Sequence, residues 1–114
     1  MAEIRKAQTL KDWYIAFFEG AEIYSDEPVP RFLGRISDRL SPDSIFNEIG
    51  PYGDRFGAVS IWNEFGNYGG QFSPYSPFNQ FGTSPPFIIK DNRRIGRLTI
   101  NEFFQGAISP YWLK

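Results

Sequence analysis

The sequence carries SIFNEIGPYGDRFGAV at residues 44–59, SIWNEFGNYGGQFSPY at residues 60–75 and SPFNQFGTSPPFIIKD at residues 76–91. These are three consecutive copies of one sixteen-residue phrase, and the first two copies are identical at eight of their sixteen positions. The third copy keeps the serine, asparagine and glycine of the pattern and then changes at a pair of prolines. A phrase repeated within one chain indicates a repeated local structure, so we interpret its shared residues as architecture.

Three positions hold the same serine, asparagine or glycine in every copy, and we predict that they form the scaffold of the repeats. Asparagine forms turns by bonding to its own backbone, and glycine permits a positive φ or a close backbone approach. The nine scaffold residues are Ser44, Asn47, Gly50, Ser60, Asn63, Gly66, Ser76, Asn79 and Gly82.

Apolar residues within a copy recur at spacings of three, three and four, which imitates a helix. We reject a helix because Gly50, Pro51, Gly53 and Gly57 lie inside the first copy, and each glycine costs about 1 kcal/mol in a helix and a proline about 3 kcal/mol. We expect short turns joined by extended pieces, stacked so that equivalent rings lie above one another. The rings at the third, sixth and thirteenth positions of a copy should fill the core, because a domain this small has few other large apolar side chains.

The flanking segments predict a helix before the repeats and a hairpin after them. An apolar stripe from Leu10 to Phe18, with Thr9 as a candidate N-cap, indicates an amphipathic helix. Asp91-Asn92 is good turn chemistry for a hairpin at residues 87–101, which we expect to pair with a strand at residues 31–37.

The fold class we predict is a mostly β and irregular (α+β) domain, with an amino-terminal helix, central stacked turns and a carboxy-terminal hairpin. The whole chain, residues 1–114, is expected to form one domain. Within it we place a helix and connector at 1–27, the repeats with a degenerate first unit at 28–91, and the hairpin with a docked tail at 87–114.

The composition argues against several classes of function. The formal net charge of −1 predicts no affinity for nucleic acid from bulk charge. Cysteine and histidine are both absent, which excludes thiol chemistry and removes the commonest general base and transition-metal ligand. We therefore predict no enzymatic activity, no cofactor and no metal site.

The distribution of apolar residues predicts no membrane span, because no run of eighteen such residues occurs. The amino-terminal stretch lacks the pattern of a signal peptide, which favours the cytoplasm. A mature chain with an added start methionine would look the same, so the compartment stays open.

Carboxylates in or beside the repeats are the candidates for acid–base catalysis and for cation binding. Glu48 and Glu64 occupy equivalent positions where the third copy has Gln80, so we interpret them as surface hydrogen-bonding groups. Asn47, Glu48 and Asp54 offer oxygen ligands for a hard cation, but the spacing of a calcium loop is absent.

Aromatic residues and the arginines of the hairpin are the candidates for a binding surface. Exposed rings can stack on sugars or hold an extended peptide, and arginines beside rings can form a platform for single-stranded nucleic acid. The neutral net charge favours a solvated hairpin tip over nucleic-acid binding. The candidate residues are Tyr52, Trp62, Tyr68, Tyr75, Arg93, Arg94 and Arg97.

These observations together predict a non-enzymatic protein-interaction or structural module, such as a small subunit of a larger assembly. The expected partner is another protein. The alternative is a small carbohydrate-binding domain that uses exposed rings to hold a glycan.

The repeat block also resembles a family of small, uncharacterised bacterial proteins with tandem SIWNxYGxYGxxYS phrases. The resemblance rests on Ser60-Ile61-Trp62-Asn63, on the proline pair with the apolar strand after it, and on Gly96-Arg97-Leu98-Thr99-Ile100-Asn101, and it covers about residues 31–101. It implies no activity, ligand or catalytic residue. Members of that family often carry cysteines and look exported, whereas this chain has no cysteine and often has phenylalanine in place of tyrosine.

Overall fold

The computed structural model describes the backbone of residues 10–113 and the side chains of residues 13–113. This part of the chain is mostly strand and irregular structure, with a single short helix and a five-stranded sheet. The candidate N-cap Thr9 lies outside the described residues. Helix α1 is Leu10–Phe18, and the strands are β1 (Glu22–Tyr24), β2 (Phe32–Arg35), β3 (Phe87–Lys90), β4 (Arg93–Leu98) and β5 (Ala107–Ile108), followed by a 3-10 turn at Pro110–Trp112.

The sheet has the strand order β2-β1-β3-β4-β5, with β5 parallel to β4 and all other neighbours antiparallel. Strands β3 and β4 are joined by Asp91 and Asn92, which have φ values of 53° and 64°. Two consecutive residues with positive φ match the right-handed twist of the strands that they connect, and asparagine and aspartate tolerate this conformation well.

The expectation that the carboxy-terminal strands pair with residues 31–37 is wrong, because β1 lies between β2 and β3. Ile23 of β1 is opposite Gly34 on one side and opposite Ile88 on the other. A strand of three residues is too short to give an alternating pattern, so the sequence carried no usable signal for β1.

Between β2 and β3, the chain from residue 38 to residue 82 follows consecutive turns rather than turns joined by extended pieces. Most turns span three residues, and nearly all of them are closed by an N–H that donates to the carbonyl at the start of that turn. Turns of four residues occur from Gly50 to Asp54 and from Gly66 to Gly70. Four turns of three and one turn of four give the sixteen-residue period and explain the helix-like spacing of the apolar residues.

Side-chain oxygens at the turn starts accept the N–H groups two residues further on. Such bonds satisfy backbone donors that a chain of turns would otherwise leave unpaired. In the first two copies the pairs are Ser44 with Phe46 (3.0 Å), Asn47 with Ile49 (3.2 Å), Ser60 with Trp62 (3.1 Å) and Asn63 with Phe65 (3.0 Å). The third copy has Ser76 with Phe78 (3.0 Å) and Asn79 with Phe81 (2.9 Å).

The scaffold asparagines also donate to the carbonyl six residues earlier. The three bonds run from Asn47 to Ser41 (3.0 Å), from Asn63 to Gly57 (2.9 Å) and from Asn79 to Ser73 (3.0 Å). Each of these asparagine side chains therefore connects successive turns of the repeat region through hydrogen bonds.

The scaffold glycines do not take a positive φ, so that part of the expectation is wrong for Gly50, Gly66 and Gly82. A Cβ at these positions would lie 3.0–3.1 Å from its nearest neighbour. The tightest positions in the first two copies are instead Gly53 and Gly69, where a Cβ would overlap the carbonyl oxygens of Asn47 and Asn63.

The core lies between the sheet and the turns. The second residue of each of the first two copies, Ile45 and Ile61, is fully buried together with strand residues such as Leu33. Gly34 of β2 has a φ of +116°, and a Cβ there would lie 2.7 Å from Ile45 Cγ2. The sheet thus packs closely against the first copy. Helix α1 contributes Phe18 to this core and leaves Phe17 68% exposed.

Candidate functional site

The expectation that the large residues at the sixth and thirteenth positions of a copy fill the core is wrong. Phe65 is 90% exposed and Phe72 is 86% exposed, and their counterparts in the other copies, Ile49, Phe56 and Phe81, also face solvent. The core is filled by Ile45 and Ile61 instead, so the aromatic side chains on the outer turns are left in water.

Two grooves of about 610 and about 600 Å³ run between these side chains. The first groove is lined by Ile45, Phe46, Glu48, Gly53, Asp54, Arg55, Phe56 and Trp62. The second groove is lined by Trp62, Glu64, Phe65, Gly66, Gly69, Gly70, Gln71, Phe72, Ser73, Phe78 and Tyr111. Seven of the eight residues in the first groove have a counterpart sixteen residues later in the second, so the two grooves are equivalent sites in successive copies.

Trp62 forms part of both grooves and is held in place. Its indole N–H donates to the carbonyl of Ile45 at 2.6 Å, which bridges the first two copies. Its ring centroid lies 5.7 Å from that of Phe78, and the Phe78 ring lies 5.3 Å from that of Tyr111. The row of rings gives the second groove an ordered aromatic wall.

The two grooves differ in charge at equivalent positions. The first groove has the acids Glu48 and Asp54 together with Arg55, whose guanidinium carbon lies 5.1 Å from the centre of the Phe56 ring. The second groove has five aromatic residues and the carboxylate of Glu64. None of the described residues that line the second groove is basic, because Gln71 stands where the first copy has Arg55.

The predicted binding residues are not gathered at one place, and among the candidate aromatics only Trp62 lines a groove. Tyr52 packs on Phe32 of β2 with a centroid distance of 5.0 Å. Tyr68 is buried and donates its hydroxyl to Glu27 at 2.7 Å, and Tyr75 packs half-buried against the core. Tyr68 therefore makes a buried structural contact between the second copy and Glu27.

The hairpin arginines also separate into different roles. Arg97 is paired with Asp26 at 2.7 Å, and its guanidinium lies between the rings of Phe87 and Phe104, so it is a structural residue. The guanidinium carbon of Arg94 also lies 4.0 Å from the centre of the Phe87 ring, and the side chains of Arg94 and Arg93 are both exposed.

Sequence reasoning missed Phe65, Phe72, Gln71 and Tyr111 as site residues. Only a weak feature of the sequence indicates that Phe65 is exposed. Phe65 directly follows Glu64, as Phe81 follows Gln80, and polar residues such as these stay in water. Tyr111 reaches the second groove from the far end of the chain, and no local pattern indicates such a contact.

Glu27 is an electrostatic link between the β1–β2 connection and the second copy. The hydroxyl of Ser25 donates to its carboxylate at 2.6 Å and is the main reason that the pKa of Glu27 is lowered, although partial burial acts against this. The Tyr68 hydroxyl and the charge of Arg31 lower it further. Burial raises the pKa of Tyr68, and the hydrogen bond to Glu27 raises it again.

Of the carboxylates considered for catalysis or cation binding, Glu48 and Asp54 line the first groove and Glu64 lines the second. Glu48 and Glu64 are exposed, and Asp54 accepts the N–H of Phe56 at 2.9 Å. Among the described residues, no group of three or more acidic side chains is placed to hold a metal ion. Within residues 10–113, no helix has the length and apolar character needed to cross a membrane.

Searches against protein families, curated proteins and solved structures find no match to this chain.

Proposed function

We propose that the chain is a non-enzymatic protein-interaction module that holds an extended segment of another protein against the grooves of its repeats. The observation that carries this proposal is the exposure of Phe65 and Phe72 beside an ordered row of rings. Contiguous exposed apolar groups on a small soluble domain are characteristic of interaction sites, and interface centres are enriched in aromatic residues.

The framework beneath these rings supports the proposal. The same side-chain hydrogen bonds recur in successive copies, so we regard the copies as one structural unit repeated along the chain. A rigid framework lowers the entropy lost on binding, because the aromatic surface is ordered before the partner arrives. Grooves that recur at equivalent positions suit an extended ligand better than a single small molecule.

A glycan is the rival ligand. Trp62 and Tyr111 are ring types that stack on sugars, and Glu64 and Gln71 offer hydrogen bonds. The exposed side chains of Phe65 and Phe72 carry no hydrogen-bonding group, however, and this favours the apolar side chains of a peptide.

Parallel peptide and glycan arrays test the proposal. The wild-type chain is compared with a Phe65→Ser/Phe72→Ser double variant and with Phe103→Ser, which changes a 94% exposed phenylalanine outside both grooves. We expect the wild type and Phe103→Ser to bind the same peptides and the double variant to lose them. Peptide binding that survives in the double variant would rule out the grooves as the site, and selective retention of glycans would favour the rival.

A further inference from the structure

We propose that the second groove binds an arginine side chain of the partner segment, stacked on Phe72 and paired with Glu64. This inference rests on the proposed function and specifies the chemistry of the ligand. It follows from comparing the two equivalent grooves residue by residue.

The first groove shows how the repeat accommodates a guanidinium. Arg55 extends over the ring of Phe56, in a groove that also contains Glu48. A guanidinium over an aromatic face is attracted by the ring quadrupole, and a nearby carboxylate adds charge complementarity. The first groove therefore contains its own cation.

The second groove keeps the ring and one of the two acids but lacks the cation, and Gly70 stands where the first copy has Asp54. Phe72 and Glu64 are the counterparts of Phe56 and Glu48, whereas Gln71 replaces Arg55. Phe72 is 86% exposed, compared with 69% for Phe56 beneath its arginine. The face that a guanidinium covers in the first copy is thus open in the second.

Charge and shape together select the cation. The described residues that line the second groove include a carboxylate and no basic side chain, so the groove attracts a positive group and disfavours an acidic one. Arginine suits the site better than lysine, because its planar guanidinium is weakly hydrated and stacks on rings.

A titration of the isotope-labelled full chain, followed by NMR, tests the inference. The probes are a short glycine-serine peptide with one central arginine and the same peptide with citrulline, which is the neutral isostere of arginine. We expect saturable shifts of the Trp62 indole N–H and of the Gly70 and Gln71 amides, with citrulline binding severalfold more weakly.

Substitutions that exchange the two copies provide matched variants. Gln71→Arg places the residue of the first copy in the second groove, and we expect it to weaken binding of the arginine peptide by about tenfold or more. Arg55→Gln empties the first groove, and we expect a second set of shifts around Gly53 and Phe56. Glu64→Gln should weaken binding severalfold, and Glu48→Gln should leave the affinity of the second groove unchanged.

Equal affinity for the arginine and citrulline peptides, or full binding by a folded Gln71→Arg variant, would overturn the inference. If the arginine peptide does not bind but array peptides still depend on Phe65 and Phe72, the inference is wrong and the proposed docking function stands. If the arrays also show no such dependence, both are wrong.

Discussion

At the scale of single residues, the repeat region is held by short polar side chains that bond to the backbone. Every turn between residues 38 and 82 begins at serine, asparagine, aspartate or glycine. Three of these residue types carry an oxygen that reaches the N–H two residues on, and glycine fits where backbones approach closely. The geometry of the turns therefore accounts for the identity of these residues.

Asn63 tests the structural role of the scaffold asparagines. Asn63→Ala removes the bonds to the Gly57 carbonyl and the Phe65 N–H, and we expect a loss of about 1–3 kcal/mol in the free energy of unfolding. Asn63→Asp keeps the acceptor for Phe65 but turns a carboxylate oxygen towards the Gly57 carbonyl, so we expect it to be destabilised as well. Urea denaturation measures both, and the neighbouring exposed substitution Glu64→Ala should change stability by no more than about 0.5 kcal/mol. A neutral effect of Asn63→Ala would contradict the scaffold role.

Gly69 tests the close approach of successive turns. An added Cβ would overlap the Asn63 carbonyl oxygen, so Gly69→Ala forces a backbone shift that we expect to cost about 1–3 kcal/mol. Gly66→Ala is the matched control, because its Cβ would meet only the side chain of Asn63, at 3.0 Å. Thermal unfolding should rank Gly69→Ala clearly below Gly66→Ala, and the reverse order would show that the turns are packed differently.

At the scale of elements, the link from Tyr68 to Glu27 joins the second copy to the β1–β2 connection. The pKa of Glu27 is lower in the folded chain than its ordinary value of 4.5, so this group stabilises the fold above that pH. The contribution is lost as the pH falls below 4.5 and through the lowered folded pKa. In the Glu27→Gln variant, the free energy of unfolding should therefore depend less on pH in the acid range. Urea denaturation at a series of pH values measures this.

Tyr68→Phe separates the hydrogen bond from the packing of the ring. The variant keeps the buried ring and removes one donor to Glu27, and we expect a loss of about 1 kcal/mol at neutral pH. The loss should shrink in acid as Glu27 becomes protonated in both proteins. A loss that does not depend on pH would show that the ionisation of Glu27 does not set the strength of this hydrogen bond.

The elements also show how far the sequence predicts this fold. The repeat, its serines and asparagines and the mostly irregular, strand-containing class follow from local pattern, because turn chemistry depends on neighbouring residues. The position of β1 does not, since a strand of three residues is recognised only by its neighbours in the sheet. The exposed faces of Phe65 and Phe72 were also unforeseen, because composition alone does not show that Ile45 and Ile61 already fill the core.

At the scale of the whole molecule, the turns of the repeat region lie between the buried core and the solvent. Ile61 belongs to the core and is fully buried, whereas Phe65, four residues later, is 90% exposed. The candidate site depends on this difference between buried and exposed residues. The exposed rings can bind a partner only if they are not required for the stability of the fold. Trp62 could be predicted from the sequence as part of the site. Gln71 and Tyr111 could not, because only the folded structure shows that they line the same groove as Trp62.

The free energy of unfolding of Phe65→Ala, compared with that of Ile61→Ala, tests this difference most directly. We expect Phe65→Ala to remain within about 0.5 kcal/mol of the wild type, because an exposed ring contributes little to stability. Ile61→Ala should lose about 2–5 kcal/mol, because it opens a cavity in the core. A loss for Phe65→Ala as large as that for Ile61→Ala would place the ring in the core and contradict the binding face.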